Sequence, residues 1–238
     1  MIDRALSLPL YLLSKPVFWL LLTFVVYWFA LRVHQRYGMR SYAHPVAISV
    51  PIIVGILLVS GTPYQTYIDG TQFIHFLLGP ATVALAVPLY KQAAQVQKDW
   101  QRLFMAAILG SLASISTAMS LAWLLGASPA TILSMGAKSV TMPIAMTITE
   151  KIGGSPSLTS AFVMLTGIFG AGVAQATLAM AKIPSLRICG FSLGVAAHGI
   201  GASRAFQLSQ EAGAYAGLAM GLSGLATAAL LPLLIYLF

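Results

Sequence analysis

The sequence predicts an all-α, polytopic integral membrane protein, and its composition together with the length of its apolar runs predicts this class. Hydrophobic residues make up 58% of the 238 residues and charged residues 8%, with a mean hydropathy of +0.87. An ordinary soluble domain carries roughly a quarter charged residues. Several runs reach the length of about 20 residues that a helix needs to cross hydrocarbon, whereas a membrane barrel would show short alternating strands.

The chain divides into about eight apolar elements separated by short connections. They are predicted at 17–33, 45–60, 71–90, 103–126, 131–149, 157–180, 186–206 and 212–238. Ser128 and Ser155 each precede a proline, an arrangement typical of a residue that caps the start of a helix. No hydrophilic insert interrupts the pattern, so we expect a single membrane domain over residues 1–238.

The charge pattern and the scattered polar residues exclude several classes of function. The net charge is +8, but the basic residues lie mostly in short loops, where they orient a membrane protein; no nucleic-acid partner is therefore expected. Four histidines and one cysteine form no metal-binding pattern. No nucleophile, base and orienting acid occur at a recognisable spacing, so the sequence predicts neither an enzyme nor a cofactor.

A faint internal similarity indicates a duplicated chain. At an offset of 115 residues, "FLLGPATVALAVPLYKQAAQ" lies over "FSLGVAAHGIGASRAFQLSQ", and Gly79 meets Gly194. This predicts two repeats at about 17–126 and 131–238. Four crossings per half would make the halves parallel, whereas one re-entrant element per half would make them inverted. The third and seventh elements, which carry prolines or glycines, are the predicted irregular ones.

A polar stretch inside the fifth element is the first candidate site. "AKSVTMP" places Lys138, Ser139, Thr141 and Pro143 within an otherwise apolar run. A proline that opens the helix would direct backbone groups and hydroxyls into a cavity, and a half-helix N-terminus beside a lysine suits a small anion. The alternative is structural: the hydroxyls bond back to their own helix and Lys138 extends to the membrane surface.

The second candidate lies in "AAHGIGASRAFQLSQEAGA" of the seventh element. His198, Gly199, Ser203 and Arg204 form a polar, glycine-interrupted run, and Glu211 follows. Function would use His198 or Arg204 to bind a carboxylate, with glycine allowing close backbone approach. Alternatively, Arg204 and Glu211 mark the membrane edge and the glycines allow helices to pack closely.

The third candidate, "LLGPATVALAVPLYKQ", has little polar content. Pro80 and Thr82 are secondary candidates because a proline break here would match the second cluster across the repeat. A simple structural kink explains the prolines equally well.

Several spaced blocks resemble the LrgB/CidB family of bacterial membrane proteins. The resemblance covers nearly the whole chain and is densest in "GPATVALAVPLYKQ", "GASPATI", "KSVTMPIAM" and "AAHGIGASRAFQLSQEAGAYAGLAM". It implies a multi-pass protein of the bacterial inner membrane that is paired with a small LrgA/CidA-type membrane protein. Some relatives are linked to glycolate, glycerate or pyruvate transport, and others are named as antiholin-like proteins that modulate murein hydrolase activity and autolysis.

These implications leave two functional hypotheses. The first is a transporter for small monocarboxylates, whose site is lined by the polar residues of the first two clusters. The second is an antiholin-like or holin-associated protein that acts through oligomerisation. The GxxxG spacing of Gly217 and Gly221 permits close helix contact, and we expect a homo-oligomer.

Overall fold

The structure, a computed structural model, describes residues 15–37, 44–84 and 86–237, which are helical with short connections and contain no strand. The helices are α1 Pro16–Arg36, α2 Pro45–Ser60, α3 Tyr64–Gly70, α4 Gln72–Ala84, α5 Ala86–Lys91, α6 Ala93–Leu124, α7 Pro129–Gly136, α8 Met142–Lys151, α9 Pro156–Met180, α10 Leu186–Leu208 and α11 Gln210–Leu237. The predicted all-α class is confirmed.

Four helices in the described ranges are long and apolar enough to cross a membrane. They are α1, most of α6, α9 and most of α11. The predicted caps are confirmed, since the Ser128 hydroxyl accepts a hydrogen bond from the Thr131 amide and the Ser155 hydroxyl accepts one from the Leu158 amide. Eight crossings are not confirmed by these lengths.

The irregular elements agree only in part with those predicted. The third element corresponds to α4 and α5, and α4 continues through Pro80 to Ala84, so the predicted break at Pro80 is wrong. The side chain of Thr82 lies outside the described part of the chain. The fifth element is broken, because α7 ends at Gly136 and α8 begins at Met142. Pro143 lies in the first turn of α8, where a missing amide proton costs nothing, and so it starts a helix.

The chain separates into two compact units, residues 1–84 and 85–238, and the single membrane domain over residues 1–238 stays a prediction. In the first unit, α1 packs on α2 and α3 around the fully buried Trp19. The Trp19 ring meets Tyr67 edge to face at 6.0 Å, and the hydroxyl oxygens of Thr23 and Tyr67 lie 3.2 Å apart. This boundary differs from the predicted repeat boundary near residues 126–131.

In the second unit, α10 is broken and folds back on itself, and it is called hairpin 2. A straight helix of its 23 residues would be about 35 Å long. Instead, Ala197 and His198 leave helical geometry, with His198 at φ 41° and ψ −128°, and Gly201 lies against the carbonyl of Leu193. Arg187 near the start of α10 forms an ion pair with Glu211 beyond its end. The chain therefore enters and leaves on one side.

Small residues hold hairpin 2 against α11. A Cβ atom at Gly190 would lie 2.1 Å from the Ala212 carbonyl oxygen, and one at Gly194 would lie 2.2 Å from that of Ala216. Only glycine permits backbones to approach this closely. The first limb of the hairpin consequently runs beside α11 in the same direction.

The helices α7 and α8 form a second hairpin over residues 129–151, called hairpin 1. The Thr159 hydroxyl of α9 donates to the Ser134 carbonyl at 3.0 Å and lies 3.0 Å from the Thr149 hydroxyl. The Ser155 amide donates to the Ser134 hydroxyl at 2.8 Å. Since Ser134 and Thr149 meet through one side chain, the chain reverses between them, near Thr141.

The hairpins enter the second unit from opposite ends. Hairpin 1 follows α6 after four connecting residues and precedes α9, whereas hairpin 2 lies between the end of α9 and the start of α11. The helices α6, α9 and α11 are long and apolar enough to cross a membrane, and neither hairpin is among the described helices of that length and hydropathy. The fifth and seventh elements fold back on themselves, where the sequence predicted irregular third and seventh elements.

The second unit contains two segments whose helix bounds match at one offset, a pattern that the sequence did not predict. Residue 129 corresponds to 186, 151 to 208 and 180 to 237, a constant offset of 57 residues. Each segment is a hairpin followed by a long helix, inserted in opposite directions. Gly167 of α9 packs against the tip of hairpin 2, and its equivalent Gly224 packs against Ile144 near the tip of hairpin 1. The repeat at an offset of 115 residues stays a prediction.

Gly201→Ala is expected to destabilise hairpin 2, because the added Cβ would lie 2.2 Å from the Leu193 carbonyl oxygen. We expect a loss of about 1–3 kcal/mol, measured as a lower unfolding temperature in detergent. Gly199→Ala is the matched control, since nothing lies within 4 Å of its Cβ position. Equal unfolding temperatures for the two variants would contradict the close contact between the limbs.

Ser134→Ala is expected to loosen hairpin 1 from α9, because the Ser155 amide loses its buried acceptor. An unsatisfied buried donor costs about 1–3 kcal/mol, which denaturant titration in detergent measures. Ser120→Ala, on an exposed position of α6, should change stability by less than about 0.5 kcal/mol. A negligible effect at Ser134 would show that the hydroxyl cluster does not fasten the hairpin.

Candidate functional site

A cavity of about 710 Å³ lies where the two hairpins meet α6 and α9. Its wall is formed by residues from all four elements: Ala106, Gly110, Ser114, Met135, Lys138, Ser139, Phe162, Leu165, Thr166, Phe169, Gly170, Phe191, Ser192, Val195 and Ala196. The wall is mostly apolar, and its polar groups are one ammonium and four hydroxyls. No acidic side chain in the described ranges lines it.

The cavity lies near the middle of the crossing helices. Ser114 is ten residues before the end of α6, or about 15 Å at helical rise. Gly167, which packs against the tip of hairpin 2, lies near the centre of α9. A hydrocarbon layer about 30 Å thick that α6 and α9 span would therefore have the cavity near its middle.

Lys138 and Ser139 of hairpin 1 lie in the cavity wall. The buried Ser139 hydroxyl oxygen is 2.6 Å from that of Ser114 on α6. Among the described residues, no carboxylate pairs with the half-buried Lys138. Ser139 therefore bonds across to another helix and Lys138 lines the cavity, while binding of an anion by this cluster stays a prediction.

Thr141 caps the start of α8 at the tip of hairpin 1 through its extended backbone, without a side-chain hydrogen bond. Pro143 is exposed and faces a different, smaller cavity of about 410 Å³ beside Ala228 and Pro232 of α11. The structure thus separates Pro143 from Lys138, although the sequence placed them in one site.

His198 forms the tip of hairpin 2 and is almost fully buried. Its Nε2 donates to the Val163 carbonyl oxygen of α9 at 3.0 Å. The ring also packs against Gly167, where a Cβ atom would lie 2.8 Å from the ring. The imidazole therefore fastens the tip to α9 behind the cavity wall, and direct contact with a substrate stays a prediction.

The remaining residues of the second cluster lie away from the cavity wall. Gly199 and Ser203 are exposed on the second limb of hairpin 2. Arg204 donates to the Gln207 side-chain oxygen at 2.8 Å, and Glu211 pairs with Arg187 at the base of the hairpin. The ion pair at Glu211 favours its structural interpretation. Pro80 is exposed in the first unit.

Sequence inspection missed most of the wall. Ser114, Thr166 and Ser192 supply hydroxyls, and three phenylalanines supply apolar surface. Ser114 lies in "GSLASISTAMS", a hydroxyl-rich run of α6. This run is the sequence pattern from which Ser114 could have been predicted as a site residue. Thr166 and Ser192 lie in ordinary apolar surroundings, and only the fold brings them together.

The arrangement favours a small anion with an apolar part. An ammonium inside a membrane is costly without a counter-charge, and no carboxylate of the described residues lines the wall. Each hairpin tip joins the C-terminal end of one half-helix to the N-terminal end of the next, so a partial negative and a partial positive charge meet there. Hydroxyls can orient a bound carboxylate by hydrogen bonds, and the phenyl rings can pack on a short carbon skeleton.

Comparison with known proteins identifies relatives along nearly the whole chain. The model of the LrgB-like family matches residues 23–237. The uncharacterized protein YwbG of Bacillus subtilis is 38% identical over 91% of this chain and 96% of its own length. An uncharacterized protein of Haemophilus influenzae is 30% identical over 91% and 95%, respectively.

Relatives with a functional name are more distant. The holin-like protein CidB of Staphylococcus epidermidis is 28% identical over 94% of this chain and 97% of its own length, and CidB of Staphylococcus aureus is 28% identical over 92% and 95%. No solved structure matches. Since the family model covers all but the first 22 residues and the last one, the chain belongs to the LrgB-like family.

Proposed function

We propose that the protein transports small monocarboxylates, such as glycolate, glycerate or pyruvate, across the bacterial inner membrane. The observation that carries this proposal is Lys138, a cation without a carboxylate partner among the described residues, in a cavity at mid-membrane depth. A bound carboxylate supplies the missing counter-charge.

The two opposed hairpins support transport over simple binding. Carriers commonly place a substrate between inverted repeats and broken helices, so that the site can open to either side. Here the two segments meet at the cavity, and each contributes wall residues close to its hairpin tip. The cavity is large enough for a substrate of a few carbon atoms.

The resemblance to the LrgB/CidB family adds a partner to the proposal. We expect the protein to work with a small LrgA/CidA-type membrane protein. Uptake is therefore best measured with the protein alone and with the LrgA/CidA-type protein added, because transport that needs the partner would otherwise be missed.

Lys138→Ala is expected to lower saturable uptake of labelled glycolate, glycerate or pyruvate into proteoliposomes at least tenfold. Removal of one partner of a buried charge pair typically costs about 2–5 kcal/mol of binding. Lys138→Arg keeps the charge and is expected to retain part of the uptake. Lys98→Ala, at an exposed position on α6, is the matched control and should transport normally.

Two outcomes would contradict the proposal. One is the absence of saturable uptake of all three substrates by the unmodified protein, with and without the partner. The other is unchanged uptake by Lys138→Ala, which would remove the cation from the binding site.

The second candidate function is holin-like, and the printed name of the CidB relatives favours it. In that role the protein would act through assembly in the membrane and alter murein hydrolase activity. The exposed Gly221 of α11, with open space at its Cβ position, leaves room for another helix.

Vesicle leakage separates the two functions. The transport proposal predicts that vesicles containing the protein retain an uncharged sugar and a trapped dye while they accumulate carboxylate. A holin-like pore would release both solutes, and Gly221→Leu would then reduce the release by blocking helix contact. Release without carboxylate accumulation would favour the holin-like function.

A further inference from the structure

The cavity is built from equivalent positions of the two repeats. Met135, Lys138 and Ser139 of hairpin 1 line it, and so do the residues exactly one repeat later in hairpin 2. Those are Ser192, Val195 and Ala196, each offset by 57 residues. Both hairpins therefore present the same face to the ligand.

The long helices α9 and α11, in contrast to the hairpins, do not both line the cavity. On α9, Phe162, Leu165, Thr166, Phe169 and Gly170 line the cavity. Their equivalents on α11 are Ala219, Leu222, Ser223, Ala226 and Thr227, and none of these lines it. Ser223 is 1% exposed and Thr227 is 3% exposed. The cavity is thus lined by α9 and not by the equivalent face of α11.

The corresponding face of α11 is covered by α6. Ala107 of α6 packs in one cluster with Ala219, and Ile115 packs in another with Leu231. Ser111 lies one turn from each on the same face of α6. Its hydroxyl is buried and has no hydrogen-bond partner in the described structure. A buried hydroxyl without a partner costs stability, and so a ligand or water that reached Ser111 would gain a hydrogen bond.

We propose that Ser111, Ser223 and Thr227 form a second, concealed face of the binding site, which contacts the carboxylate when the cavity opens toward the opposite side of the membrane. Ser223 and Thr227 are four residues apart and share one face of α11. In the present state Ser223 bonds to the Met220 carbonyl of its own helix at 3.2 Å. When α6 separates from α11, these hydroxyls become donors to the ligand in the place of Ser114 and Thr166.

This inference rests on the proposed transport function, because only alternating access requires two opposite openings. The inference names the residues that would contact the ligand when the cavity opens to one side of the membrane and not when it opens to the other. Thr166 is the equivalent of Ser223, and the two are expected to reach water from opposite sides.

Cysteine accessibility tests the inference. Cys189 is the chain's single cysteine and is buried, so Cys189→Ala provides a background for single-cysteine variants. Thr166→Cys, Ser223→Cys and Ala216→Cys are treated with a membrane-impermeant maleimide in right-side-out and in inverted vesicles. Ala216 is the matched control on α11, since it and its equivalent Thr159 are both fully buried.

Thr166→Cys is expected to react from one side, Ser223→Cys only from the other, and Ala216→Cys from neither. Thr227→Cys replaces Ser223→Cys if the latter does not fold. Failure of both α11 cysteines to react from the side opposite to Thr166→Cys would overturn the inference.

Uptake of labelled glycolate, glycerate and pyruvate by the same vesicles separates this inference from the proposed function. Labelling from opposite sides without uptake supports the concealed face and contradicts the substrate class. Uptake without reaction at either α11 cysteine supports transport and overturns the concealed face.

Discussion

Two chain reversals enclosed by long apolar helices determine the architecture of the second unit. In a membrane, where hydrocarbon offers no water, every backbone group freed at a reversal must be enclosed by protein. Thr141 and His198 mark these reversals, and the long helices α6, α9 and α11 pack around the hairpins. The His198 bond to Val163 and the glycine contacts with α11 follow from this constraint, since the hairpins remain buried only if they pack closely.

The same enclosure creates the candidate site. Hairpins from opposite sides must meet near mid-membrane, and their tips cannot fill the space between α6 and α9 completely. Lys138 lies at that gap with the hydroxyls of Ser114 and Ser139 close by. Hairpin 1 is fastened to α9 by the hydroxyl cluster around Ser134. Residues that hold the hairpins and residues that face the ligand are therefore different sets.

Sequence patterns predicted the helical membrane class and both broken elements of the second unit, because prolines, glycines and polar residues disrupt helices locally. They did not predict that the fifth element turns back, since a reversal depends on partners such as Thr159 far along the chain. The repeat was also hidden: Gly167 matches Gly224 and Leu165 matches Leu222, but Thr141 is replaced by His198 at the tip. The two segments therefore have similar helix bounds although most of their side chains differ.

The most direct measurement of the architecture is the sidedness of the loops that flank each hairpin. In the background without Cys189, Ala127→Cys and Ser157→Cys flank hairpin 1, and Lys182→Cys and Gln210→Cys flank hairpin 2. Two re-entrant hairpins predict that the first pair reacts with an impermeant maleimide from one side and the second pair from the other. If the two cysteines of either pair react from opposite sides, that hairpin crosses the membrane and the proposed arrangement is wrong.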